Sequence, residues 1–116
     1  MSGCEWVVEA HGCDRASLAN LAKLRAFFDR VIEELALQPA APATWHQFPK
    51  TGGVTGLCLL LESHLVCHTF PEYGCLCLNL FCCRPRPEWD FSGGLKTEFA
   101  AAEVCIRRIE RPYGEG

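Results

Sequence analysis

The sequence predicts an α+β fold, a two-layer α/β sandwich with a mainly antiparallel sheet and two helices on one face. Three observations carry this expectation. Leu18, Leu21, Leu24, Phe28, Val31, Ile32 and Leu35 recur at three- and four-residue steps, the pattern of one long amphipathic helix. Three apolar, β-rich runs at 54–61, 65–70 and 75–83 follow across gaps too short for the crossovers that parallel strands need. The order strand, helix, several strands, helix, strand then segregates the helices from the sheet.

The elements follow in chain order. Glu5 to Ala10 (EWVVEA) reads as a strand, broken by His11-Gly12-Cys13. Asp14 is placed to cap the first helix, because its carboxylate accepts helix N–H groups that otherwise lack partners. Lys23, Arg25, Asp29, Arg30 and Glu33 fall largely outside the apolar stripe, and Pro39 and Pro42 close the segment. Trp45 to Phe48 reads as a short strand, and Pro49 to Gly53 as a turn. The three apolar runs come next, the second closed by Pro71-Glu72-Tyr73-Gly74. Arg84-Pro85-Arg86-Pro87 is a loop. A second helix is expected over 89–102, weakened by Ser92-Gly93-Gly94, then a strand over 104–109 and a polar tail.

With 116 residues and 12.9 kDa, the chain fits a single domain spanning 1–116. Hydrophobic residues make up 49% and charged residues 22%, which excludes a disordered tail. A net charge of -3 with no basic tract disfavours nucleic acid as a partner, and Arg107, Arg108 and Arg111 read as solvated. No stretch approaches the ~18 uninterrupted apolar residues of a membrane helix, so no membrane partner is expected. The nine cysteines sit mostly inside apolar runs, where a thiol acts as a small hydrophobe. With no signal-peptide pattern at Met1-Ser2-Gly3-Cys4-Glu5, the reading is a reducing, cytoplasmic setting. The runs at 54–61 and 75–83 are apolar enough to make both sheet faces hydrophobic, so a homodimer is expected to cover the second.

The densest reactive cluster is Glu62-Ser63-His64, His68-Thr69, Glu72 and Cys82-Cys83. A hydrolytic triad is disfavoured because Ser63 lacks the G-x-S-x-G elbow. A metal site built from His64 or His68 with Cys67, Cys82 or Cys83 is also disfavoured, since no C-x-x-C pair is present, and no metal is expected.

The run from Gly53 to Gly74 (GVTGLCLLLESHLVCHTFPEYG) closely resembles the bacterial and archaeal S-adenosylmethionine decarboxylases, pyruvoyl enzymes of polyamine synthesis. It is similar, in order, to their G-V-S-G, E-S-H and H-T-W-P-E-x-G signatures, with F-C-C-R at 81–84 in place of F-T-C-G. The resemblance implies a proenzyme that cleaves itself between Glu62 and Ser63 into chains 1–62 and 63–116. Ser63 would become an N-terminal pyruvoyl group, the covalent, self-generated cofactor. That group is an electron sink that takes up the electrons left by departing CO2, as pyridoxal phosphate does elsewhere.

The same resemblance assigns roles residue by residue. His68 is the processing proton shuttle, a task that suits imidazole near neutral pH. Thr55 stands at the family's serine position and keeps the hydroxyl that assists processing. Cys83 protonates the α-carbon after decarboxylation. Glu72 holds a substrate hydroxyl or ammonium, and Phe48 and Phe70 line the substrate pocket, Phe48 by stacking on a purine. Resemblance also implies a homodimer of processed two-chain protomers in which a second subunit contributes to the pocket.

Several positions depart from the family pattern. Phe70 replaces tryptophan, Asn79 replaces aspartate, Cys82 and Arg84 replace threonine and glycine around Cys83, and the 49–52 loop is one residue longer. These changes ring the pocket and leave Ser63, His68 and Cys83 in place. The resemblance makes S-adenosylmethionine the expected substrate, while an altered pocket around an intact core is what a change of substrate would look like. The alternatives are arginine or ornithine on the same pyruvoyl scaffold, or an unprocessed regulatory homologue.

Overall fold

A computed structural model describes residues 1–114. Six strands form one sheet in the order β2-β3-β4-β5-β1-β6. They are β1 (Ser2–His11), β2 (Thr44–Gln47), β3 (Val54–Leu60), β4 (Ser63–Phe70), β5 (Cys75–Cys82) and β6 (Glu103–Pro112), and every neighbouring pair is antiparallel. The helices α1 (Arg15–Leu18), α2 (Leu21–Glu34) and α3 (Phe91–Phe99) pack over one face. The α+β sandwich is as expected, with three helices where two were expected.

The extra helix arises because the first helix is interrupted. Asp14 caps α1 as anticipated, accepting from Ser17 N at 3.0 Å. Asn20 then caps a fresh helix, its Oδ1 accepting from Lys23 N at 3.0 Å. A side chain that competes with the backbone for hydrogen bonds can restart a helix while leaving the apolar stripe in phase. At its other end α2 stops before the prolines. Ala36 adopts φ +53°, and Leu37 N donates to Ile32 O at 2.8 Å, a Schellman closure built on alanine where glycine is usual. The last helix is shorter than expected because Asp90 caps it, accepting from Gly93 N at 2.9 Å. Trp89 is left outside as a core side chain, edge-on to Phe27 at 5.5 Å.

Strand alternation separates two faces of different character. Cys4, Trp6, Val8 and Ala10 of β1 and Leu76, Leu78, Leu80 and Cys82 of β5 point at the helices and are buried. Phe27, Phe99 and Phe91 meet them from the helical layer, with Phe27 and Phe99 edge-on at 5.3 Å. Cys4, Cys58, Cys67 and Cys82 are buried with this core, and burial pushes the Cys67 thiol up to about 12 and the Cys82 thiol up to about 11. Against Gly56 lies the Trp45 ring, so close that an added Cβ would stand 2.3 Å from it.

The opposite face carries no helix. Its β3–β5 half is apolar, with Leu57 48% and Leu59 61% exposed beside Val66 and Phe81. Its β1–β6 half is ionic: Arg107 pairs with Glu9, Arg111 pairs with Glu5, and Asn79 Nδ2 donates to Glu5 at 3.0 Å. The apolar half is the one built from the runs at 54–61 and 75–83; on the other half β6 supplies cations diagonally across from the β1 glutamates, Arg107 standing opposite Val7 and Arg111 opposite Gly3. Arg107 and Arg111 are ion-paired, and Arg108 lies over the Trp6 ring at 5.8 Å, so none of the three is simply solvated.

Thr69 is the one buried polar side chain on the helical face among the described residues. Its hydroxyl donates to Leu18 O at 2.8 Å and accepts from Val54 N at 2.9 Å, tying β4 to both α1 and β3. Thr69→Val keeps the shape and strands a buried N–H and a buried carbonyl. Stability should fall by about 2–4 kcal/mol, read as a lower urea midpoint at unchanged m-value.

Candidate active site

Two clusters gather the sequence-predicted residues, and they lie apart. The first is the tip of the β3–β4 hairpin. Leu60 pairs with Ser63, leaving Leu61 and Glu62 as the turn. Glu62 has φ +63°, a left-handed conformation costing a non-glycine residue about 1–3 kcal/mol. Its carbonyl oxygen accepts from Cys83 N at 3.1 Å across the end of the sheet. Ser63 lies opposite Cys82 in the ladder, and its Oγ donates to Leu61 O at 3.4 Å. Arg84 Nε sits 3.5 Å from Glu62 Oε2, with both side chains largely exposed, so this ion pair contributes little.

The second cluster lies on the uncovered face. Thr55 and His68 are ladder partners, and Thr55 Oγ1 is 2.6 Å from His68 Nδ1. With the hydroxyl donating, the ring carries its proton on Nε2, the nitrogen away from Thr55. The His68 ring packs edge-on to Phe70 at 4.4 Å and tilted to Phe48 at 5.6 Å. Beside them Glu72, on the one-turn 3-10 segment Pro71–Tyr73, and Lys50 line a cavity of about 400 Å³. On the other flank Thr55, His68, Asn79, Glu5 and Glu9 border a cavity of about 290 Å³.

Within one chain the strand keeps Ser63 and His68 apart. They are five positions apart on β4, about 17 Å at the usual rise of ~3.3 Å per residue. Five is an odd step, so their side chains leave the strand on opposite faces. Glu62, Ser63 and Cys83 are brought together; Thr55, His68, Phe48, Phe70 and Glu72 are brought together; the two sets are not. The same parity separates His64 and His68 from Cys67 and Cys82. Among the described residues no group of three or more His, Cys, Asp and Glu side chains is arranged to hold a metal ion. No described helix is long and apolar enough to cross a membrane. Glu5 and Glu9, which border the same cavity as His68, were not singled out from sequence. Alternation along β1 does put Glu5 and Glu9 on one face, and only the β1–β6 register brings Arg107 and Arg111 diagonally across from them.

Comparison with known proteins matches this arrangement to one family. Residues 4–112 match the family model described as S-adenosylmethionine decarboxylase. The S-adenosylmethionine decarboxylase proenzyme of Acetivibrio thermocellus is 31% identical over 109 residues, covering 90% of this chain and 84% of that protein. The proenzyme of Moorella thermoacetica is 32% identical, with 90% and 83% covered. The crystal structure of the adenosylmethionine decarboxylase from Aquifex aeolicus superposes with a TM-score of 0.78 at 21% identity, over 97% of this chain and 92% of that one, and so shares the fold. Over nearly its whole length, the chain belongs to the S-adenosylmethionine decarboxylase family.

Proposed function

We propose that this chain is a self-processing decarboxylase of S-adenosylmethionine that cleaves itself between Glu62 and Ser63 and works with a pyruvoyl group made from Ser63. The observation that carries the reading is the hairpin tip. A serine directly follows a residue in a strained left-handed conformation whose carbonyl already accepts a backbone hydrogen bond from Cys83. That N–H stabilises negative charge developing on the Glu62 oxygen as Ser63 Oγ adds to its carbonyl carbon. The C–N bond then breaks, the hydroxyl proton passes to the Ser63 nitrogen, and an ester remains. Loss of the Ser63 Cα proton expels the Glu62 carboxylate from Cβ, and uptake of water with release of ammonia leaves the pyruvoyl group. The tip suits that group, because a serine there directly follows a carbonyl whose oxygen already holds a hydrogen-bond donor.

The pyruvoyl group supplies an electron sink for decarboxylation. Cys83, next to the hairpin tip, returns a proton to the substrate α-carbon. Phe48 and Phe70 offer faces for an adenine ring and a sulfonium cation, and Glu72 accepts from a substrate hydroxyl or ammonium. Thr55 holds His68 through Nδ1, leaving Nε2 for proton transfer.

The separation of Ser63 from His68 supports a homodimer as the working unit. If a second subunit laid on the uncovered apolar half-face supplied its histidine to the hairpin tip, each protomer would complete its partner's site. The core thiols, packed as small hydrophobes, suit a reducing cytoplasmic setting.

The test is CO2 release from carboxyl-labelled S-adenosylmethionine, arginine and ornithine by the purified protein. Release from S-adenosylmethionine, with both amino acids at background, is the expected result. Release from arginine or ornithine alone would reassign the substrate and keep the cofactor. No release from any of the three would overturn the enzyme reading.

A further inference from the structure

Cys83 is the first residue beyond β5 and begins an irregular segment that runs to the Asp90 cap of α3. Such a position is ordinarily free to shift, yet its N–H is the donor on the Glu62 carbonyl. What fixes it comes from the chain ends. Tyr113, just past β6, donates its hydroxyl to Cys83 O at 2.6 Å. The Tyr113 N–H in turn donates to Met1 O at 3.0 Å, anchoring the tyrosine to the start of β1. Two residues on, Gly3 leaves room for the same backbone: a Cβ there would stand 2.5 Å from Cys82 O and 3.3 Å from Cys83 Cα. Cys83 is therefore held on its N–H side by the hairpin tip and on its carbonyl side by Tyr113.

We infer that Tyr113 is a positioning residue for self-cleavage, its hydroxyl holding Cys83 so that the N–H stays on the Glu62 carbonyl while Ser63 attacks. The inference rests on the self-cleavage reading above. Tyr113 touches no reacting atom and acts only through Cys83. Its effect is largest in the first step, where a full negative charge collects on the one Glu62 oxygen that Cys83 holds, and smaller in the later elimination, where the departing carboxylate shares its charge over two oxygens. A donor displaced by a fraction of an ångström loses part of that stabilisation, so removing one hydroxyl should slow the first step about 10-fold.

The experiment follows freshly synthesised, pulse-labelled full-length wild type and Tyr113→Phe on denaturing gels, with and without hydroxylamine, which cuts the ester before elimination. Tyr113→Phe should cleave about 10-fold more slowly, with the ratio of hydroxylamine-cut to pyruvoyl product changed by less than about threefold. The thermal midpoints of Ser63→Ala and of Ser63→Ala with Tyr113→Phe, both unable to cleave, should agree within about 2 °C. Cleavage of Tyr113→Phe within twofold of wild type overturns the inference and leaves self-cleavage standing. So does a product ratio changed as much as the cleavage rate, which would move Tyr113 to the elimination step, or a slowing matched by a fall in midpoint, which would make its role structural. A wild type that stays one chain overturns self-cleavage and this inference together.

Discussion

Replacing Ser63 by alanine should leave one intact chain of 12.9 kDa and no measurable CO2 release, where wild type gives two fragments and turnover. The size of the effect follows from what the hydroxyl does. It is the nucleophile of cleavage and the only source of the carbonyl that takes up electrons, so its loss removes the chemistry outright. The fold should be untouched. Ser63 Oγ makes only a long, 3.4 Å bond to Leu61 O at an exposed turn, so the urea midpoint should shift by less than about 0.5 kcal/mol equivalent. Denatured intact mass reads cleavage, and the C-terminal fragment should begin with a pyruvoyl group at position 63. Full decarboxylase activity in this variant would refute the mechanism.

The second large effect concerns His68. His68→Ala alone should slow self-cleavage by about 10²–10⁴-fold, the usual contribution of a positioned general acid–base. Co-expressing His68→Ala with Ser63→Ala then separates a site within one chain from a site shared between two. If the site is shared, a mixed dimer contains one intact combination, Ser63 of the His68→Ala chain with the histidine of the Ser63→Ala chain. With equal expression and random pairing, about half of the His68→Ala chains should be cleaved. If each chain processed itself alone, none would be, because neither variant holds both groups. A mass spectrum of the co-expressed pair distinguishes the two outcomes without any assay of turnover. Absence of fragments, given mixed dimers confirmed by tagging, would return His68 to its own chain and require β4 to deform.

The fold class was legible because periodicity is a local property. The apolar runs at 54–60 and 75–82 alternate cleanly in burial, and the Asp14 cap forms as expected. The break at Asn20 was not, since the stripe of Leu18, Leu21 and Leu24 has the same spacing whether or not the helix restarts between them. The α2 terminus was missed because Ala36, with no glycine to mark it, takes the left-handed position. Strand order was also beyond reach. Setting β1 between β5 and β6 depends on pairings between distant parts of the chain, Cys4 with Cys82 and Ser2 with Pro112, which no local pattern encodes. At the candidate site the motif residues were all identifiable, yet their grouping was not. Ser63 and His68 look adjacent in sequence, while an odd spacing on one strand sends them to different faces. That parity follows from the residue numbers alone once both residues are placed on one strand, and it is the signal that divides the motif into two clusters.

The strand order has a consequence for the cleaved molecule. Chain 1–62 would own β1, β2 and β3, and chain 63–116 would own β4, β5 and β6, so the sheet alternates in ownership as two, two, one, one. Three seams, β3–β4, β5–β1 and β1–β6, would join different polypeptides. The fragments are interlaced, and separating them means unzipping three ladders at once. A fold assembled as one chain would then have to reassemble as two, paying the entropy of a bimolecular encounter and threading β1 between strands of its partner fragment. The mature molecule should therefore hold together on kinetic grounds: slow to come apart, and once denatured, far slower to regain its form than its uncut precursor.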